Sequence, residues 1–245
     1  MKKLFTKLAA VGLALAACSP AFAGKPNLND FHLGWLDGIV ETPYKKDEDL
    51  LARTYLIVMD GSGSMDWDGR QQCPQIKDRR IDVAKRAASK FAQSIGPKDK
   101  LGMVIFEDGS PKYTLPFAYN NGSNFAKQVN GIRPDGGTPL RSSILMGFNE
   151  LRKEGARKKG HGEYHLVVIS DGDPSSTAED PRSLIQAIYK DSPIQIHSIG
   201  FCLKPGHPLN QPFLNYYQAD NEASLTQSLQ NVLAESESFS NTDFQ

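Results

Sequence analysis

The chain has 245 residues, 39% of them hydrophobic and 23% charged, with 28 basic and 28 acidic side chains in balance. That length holds one ordinary domain of about 200 residues with extensions, and the composition is that of a globular protein in water. Basic clusters such as Lys45-Lys46 and Lys158-Lys159 are short and read as solvated turns, so nothing argues for nucleic-acid binding.

The first 23 residues read as an export signal and not as part of the fold. Lys2, Lys3 and Lys7 form a positive start, Leu8 to Ala17 is an apolar run too short to span a bilayer, and Ala21-Phe22-Ala23 fits small-x-small cleavage. Removing residues 1–23 takes away three lysines and no acid, leaving a net charge of −3. An overlapping pattern, Leu15-Ala16-Ala17-Cys18, has the form of a bacterial lipoprotein box, with cleavage before Cys18 and lipid on that cysteine. Both readings stay open, and both put the mature chain outside a bacterial cytoplasm: periplasmic, secreted, or held at the outer membrane by an N-terminal lipid alone. Residues 24–51 follow as a polar arm with scattered aromatics (Phe31, Trp35, Tyr44), expected to lie extended over the domain.

From residue 52 strand and helix patterns alternate. Arg53 to Met59 reads as a strand. Arg80 to Ile95 reads as a helix whose Ile81, Val83, Ala84, Ala87, Ala88, Phe91 and Ala92 share a face, stopped by Gly96-Pro97. Leu101 to Phe106 is a second strand, and Tyr113 to Phe117 a short edge strand expected to pair antiparallel with it. Helices are expected over Asn124 to Val129, Leu140 to Arg152, Pro181 to Tyr189 and Ser224 to Ala234. Strands are expected over His165 to Ser170, Ile194 to Ile199 and Tyr216 to Ala219. This gives a domain over 52–235 and a mobile acidic tail over 236–245. Strands separated by helices imply an α/β fold, a doubly wound and mostly parallel sheet of about six strands with helices on both faces and one antiparallel edge strand.

The chemistry concentrates at strand ends. Asp60-Gly61-Ser62-Gly63-Ser64 follows the apolar run Tyr55 to Met59. In extended backbone, residues i, i+2 and i+4 face one way, so Asp60, Ser62 and Ser64 can converge. An acid with neutral oxygens suits a hard divalent cation, Mg²⁺, Mn²⁺ or Ca²⁺. Gly136-Gly137-Thr138 adds a hydroxyl at a glycine turn, and the run His165 to Ser170 ends in Asp171-Gly172-Asp173. Asp60, Ser62, Ser64, Thr138 and Asp171, in that order at element ends, resemble the metal-ion-dependent adhesion site of the von Willebrand factor type A family, over roughly Ala52 to Glu235. The resemblance implies a Rossmann-like fold. It also implies direct metal bonds from Ser62 and Ser64, one from Thr138 in the ligand-competent state, Asp60 and Asp171 acting largely through water or one of them directly, and an open position filled by an Asp or Glu of a protein partner. Two rivals are an assembly subunit of an envelope or surface complex with a mainly stabilising metal, and a metal-dependent hydrolase. The chain has neither a Gly-x-Ser-x-Gly elbow nor a His-Glu-x-x-His helix, so a non-enzymatic role is expected.

Neighbouring residues carry weaker signals. Asp66 and Asp68 flank Trp67 and read as a solvated loop. Asp135 and Asp173 stand beside motif residues as water-binding neighbours. His161-Gly162-Glu163-Tyr164-His165 lacks helical spacing and reads as a surface turn, and His197 as a packed strand residue. Cys73 and Cys202 are the only cysteines of a mature chain cleaved after Ala23. In an oxidising compartment, on loops leaving the same edge of a parallel sheet, they are expected to form a disulfide.

Overall fold

The computed structural model describes residues 35–36, 50–67 and 73–238. The export signal, Cys18, Asp68 and residues 239–245 lie outside the described residues. Six strands, β1 Thr54–Asp60, β2 Lys100–Glu107, β3 Ser110–Tyr119, β4 Tyr164–Ser170, β5 Ile194–Phe201 and β6 Asn215–Ala219, form one sheet of order β3-β2-β1-β4-β5-β6. Every pairing is parallel except β2 with β3, so the expected sheet is the one observed.

Strand alternation splits the core into two layers. Tyr55, Ile57 and Met59 of β1 pack with helices α1 Arg80–Ser94, α2 Gly122–Gly131 and α5 Glu222–Ser238. Leu56 and Val58 pack on the other face with α3 Leu140–Arg157 and α4 Arg182–Asp191. All seven residues of β1 are buried, as a strand covered on both faces requires.

Element ends differ from the expectations in informative ways. β3 is ten residues long instead of five, because its pairing continues from the Asp108-Gly109 turn as far as Lys100 opposite Tyr119. α4 begins at Arg182, with Pro181 just ahead of it. α5 runs to Ser238, past the boundary set at residue 235.

α3 extends five residues past Arg152, where the apolar period stops. Glu154 takes an inward place there, and Lys100, 3.0 Å away and itself buried, neutralises it. The arm residue Trp35 packs over this end of α3. Its ring lies edge-on to Tyr164 with centroids 5.1 Å apart, and its carbonyl accepts a bond from Arg152 Nε at 2.9 Å. A Cβ added to Gly155 would stand 2.5 Å from the indole, so only glycine admits it.

His165 is fully buried, which corrects the surface-turn expectation for that end of the histidine pair. It stacks on Tyr55 with centroids 4.6 Å apart, and its Nδ1 lies 3.3 Å from Nε2 of His197.

Candidate metal site

In a doubly wound sheet a crevice opens at the carboxyl ends of strands where the strand order reverses. Here that point is β1 beside β4, flanked by helices on opposite faces, and it carries Asp60 and Asp171. Asp60 is the last residue of β1 and is fully buried. Its Oδ1 accepts the Ser62 N–H at 2.8 Å, and its Oδ2 accepts the Ser170 hydroxyl at 2.6 Å and the Asp171 N–H at 3.3 Å. Beyond it the chain turns at Ser62 into a short 3-10 turn, Gly63–Asp66, which presents Ser64 3.0 Å from the Ser62 hydroxyl. Ser64 Oγ donates to Asp171 Oδ1 at 2.6 Å.

The Thr138 loop is tied to this turn by backbone bonds. Gly63 N–H reaches Gly136 O at 3.0 Å and Asp135 N–H reaches Gly61 O at 3.0 Å. Gly136 is left-handed at φ +74°, and a Cβ on it would meet Gly109 N at 2.2 Å, so the crossing of these loops requires glycine. Ser175 clamps Thr138 from the far side: its hydroxyl accepts the Thr138 N–H, and its own N–H reaches Thr138 O at 3.0 Å.

The donor set fits a hard cation. A methyl built on Gly172 would lie 3.2 Å from Thr138 Oγ1 and 3.3 Å from Ser64 Oγ, so hydroxyls from two loops face one small space. The described residues hold no group of three His, Cys, Asp or Glu side chains placed to bind a metal. A cation here would therefore meet hydroxyls first. Both carboxylates already accept protein hydrogen bonds on each of their oxygens, which favours contact through water.

Burial works against the charge of both acids. Burial, and then the charge of Asp171, push the Asp60 carboxyl up to about 7. Burial also raises Asp171, against the pull of Ser64 and Arg80. Arg80 Nη1 lies 2.7 Å from Asp171 Oδ2, and both side chains are shut away from water. Arg80 read in the sequence as nothing more than the first residue of a helix, and Ser170 and Ser175 were not singled out. Only the Ser170-Asp171 adjacency at a strand end hinted at a role for any of the three.

Two hollows flank the site. One, of about 200 Å³, is lined by Ser64, Trp67, Arg80, Asp171 and Lys204. The other, of about 420 Å³, is lined by Ser62, Trp67, Gly136, Thr138 and Asp173. Trp67 borders both and is 61% exposed. Asp66 is engaged by Arg79 at 2.9 Å, Asp135 Oδ1 by the Gly136 N–H at 2.7 Å, and Asp173 stands in solvent. On the same rim Cys73 and Cys202 are joined by a disulfide, with Cα atoms 5.5 Å apart.

Comparison with known proteins bears on the fold. Residues 55–173 match the profile of the von Willebrand factor type A domain. Inter alpha-trypsin inhibitor, heavy chain 4, of Mus musculus is 23% identical over 176 residues, 70% of this chain but 17% of that protein's length. The fold is similar to the vWF domain of the type V pili tip protein Mfa5 from Porphyromonas gingivalis. The TM-score is 0.59 at 13% identity, covering 80% of this chain and 98% of that one. It is similar too to proximal thread matrix protein 1 from the mussel byssus, solved with a zinc-occupied MIDAS motif. There the TM-score is 0.54 at 14% identity, over 76% of this chain and 46% of that one. Profile and fold agree: residues 55–173 of this chain carry a von Willebrand factor type A domain.

Proposed function

We propose that this chain is an exported binding module. It holds a divalent cation, Mg²⁺, Mn²⁺ or Ca²⁺, at Asp60, Ser62, Ser64, Thr138 and Asp171, and through it binds an Asp or Glu carboxylate on a protein partner. The observation that carries the reading is the convergence of the Ser64 and Thr138 hydroxyls on one space beside Gly172. Ser62, Ser64 and Thr138 would hold the ion through hydroxyls, and Asp60 and Asp171 through water. The bound ion supplies a positive centre with room for one more oxygen. Gly61 and Gly63 keep side chains out of the approach, and Ser175 fixes the Thr138 backbone.

The family's presence in a pili tip protein supports export and contact with other proteins, and the zinc-occupied byssus relative supports a metal at this position. The backbone bonds between the Gly61–Gly63 and Asp135–Gly136 segments favour binding over a purely stabilising metal, since these loops are held together by protein alone. Residues 1–23 serve as the export signal in this reading, or Cys18 as a lipidated first residue. Among the described residues no helix is long and apolar enough to cross a membrane.

Pull-down from an envelope extract tests the reading. Capture of a partner should be lost on chelation while circular dichroism and melting of the domain stay nearly unchanged. Capture that survives chelation refutes the ion bridge, and melting on chelation refutes it in favour of a structural metal.

A further inference from the structure

We propose that Arg80 is a positioning residue that sets the charge of the cation site. By neutralising Asp171 from inside the protein, it leaves the loaded site short of one negative charge, which an acidic partner supplies. The inference rests on the metal reading above and deepens it.

Among the described residues, Asp60, Asp171 and Arg80 are buried charged groups linked to one another at the site. Arg80 donates to Asp171 Oδ2 at 2.7 Å, with side-chain exposures of 2% and 0%. Water screens this pair much less than an exposed one, so its charges are felt by anything bound beside them. Two carboxylates and one guanidinium sum to −1. A divalent cation takes the site to +1, and one carboxylate from outside closes it to zero. With a neutral residue at position 80 the two acids and the ion would already balance, and an incoming carboxylate would meet a site with no charge to satisfy. Asp173 and Lys204 on the rim are exposed and largely screened.

Geometry adds to charge. Ser64 holds Asp171 Oδ1 and Arg80 holds Oδ2, so the carboxylate cannot swing onto the ion without breaking a buried ion pair. The base of the Arg80 side chain is fixed to the same turn that presents Ser64, because the Arg80 N–H bonds Trp67 O at 3.1 Å. Asp171 is thereby kept as a partner reached through water, and the direct ligands stay uncharged.

The test compares the mature chain with Arg80→Lys, which keeps the charge, Arg80→Gln, which keeps a donor without charge, and Arg80→Met. Circular dichroism checks each fold. Mn²⁺ is titrated by calorimetry at mildly alkaline pH, alone and in the presence of acetate as the carboxylate probe. Wild type and the lysine variant should bind Mn²⁺ alike, and acetate should tighten both. The glutamine and methionine variants should bind Mn²⁺ on the order of tenfold more tightly, and acetate should no longer help. If methionine does not fold, glutamine carries the comparison. A role limited to plugging a buried acid predicts weaker Mn²⁺ binding in all three variants, and that result overturns the proposal. So does an acetate response that persists in the neutral variants or vanishes in the lysine one. A wild type that binds no Mn²⁺ would instead overturn the metal reading itself, and this inference with it.

Discussion

Replacing both cysteines of the rim disulfide with alanine should cost the domain about 3–5 kcal/mol. The bridge joins residues 129 apart in sequence. The chain-entropy relation for a loop of that length gives about 5 kcal/mol as a ceiling, and native bridges deliver about 2–4. Loss of two buried sulfurs adds on the order of 1 kcal/mol. Against a total stability of about 5–15 kcal/mol for a domain, this is a large share. Urea unfolding of Cys73→Ala with Cys202→Ala measures it. The midpoint should fall and the slope m should rise, because the uncrosslinked denatured chain exposes more surface. Divalent-cation affinity should change only a few-fold, since the Gly63–Gly136 and Gly61–Asp135 backbone bonds hold the site loops independently of the bridge. A loss under about 1 kcal/mol with unchanged m would refute the assumption that the bridge acts chiefly by confining the unfolded chain.

Ser62→Ala combined with Ser64→Ala should remove calorimetric Mg²⁺ and Mn²⁺ binding with the circular dichroism spectrum preserved; undiminished binding defeats the ligand assignment. Gly136→Ala should cost about 2 kcal/mol or more, since it forces a left-handed alanine into Gly109. Gly131→Ala, which meets nothing within 4 Å, should be neutral or stabilising by under about 1 kcal/mol; equal effects on melting at both positions would contradict the steric argument. Burial, and then the neighbouring His165, push the His197 imidazole down to about 3. The unfolded chain takes up a proton near pH 6.5 that the folded chain refuses, so this group's stability contribution is complete above about 6.5 and drains away toward about 3. Between pH 7 and pH 5 wild type should lose about 2 kcal/mol more than His197→Gln, with Glu235 3.6 Å from Nδ1 of that ring. Parallel pH profiles of the two proteins would rule this out.

The sheet was legible because its inner strands are apolar on both faces, a pattern that survives in one dimension. Asp60, Ser62 and Ser64 were legible for a similar reason, as two-residue spacing is itself the geometry of an extended chain leaving a strand. Arg80 was not, since an arginine at a helix start is ordinarily a solvated residue. Only the fold brings it under Asp171, 91 residues away. The end of α3 was missed because Glu154 breaks the apolar period, and its compensating charge, Lys100, sits far off in sequence on β2. His165 looked like the edge of a polar turn, and its burial depends on Tyr55 and His197 arriving from neighbouring strands.

The seat of Trp35 ties the arm to the end of β4 farthest from the candidate metal site. Tyr164, against which the indole rests, is the first residue of β4, and Asp171 follows the last residue of the same strand. Trp35 thus sits at one end of β4 and the candidate metal site at the other, about 20 Å away along seven residues. The ladders to β1 and β5 run along the strand between them, so the two ends share one rigid, buried element.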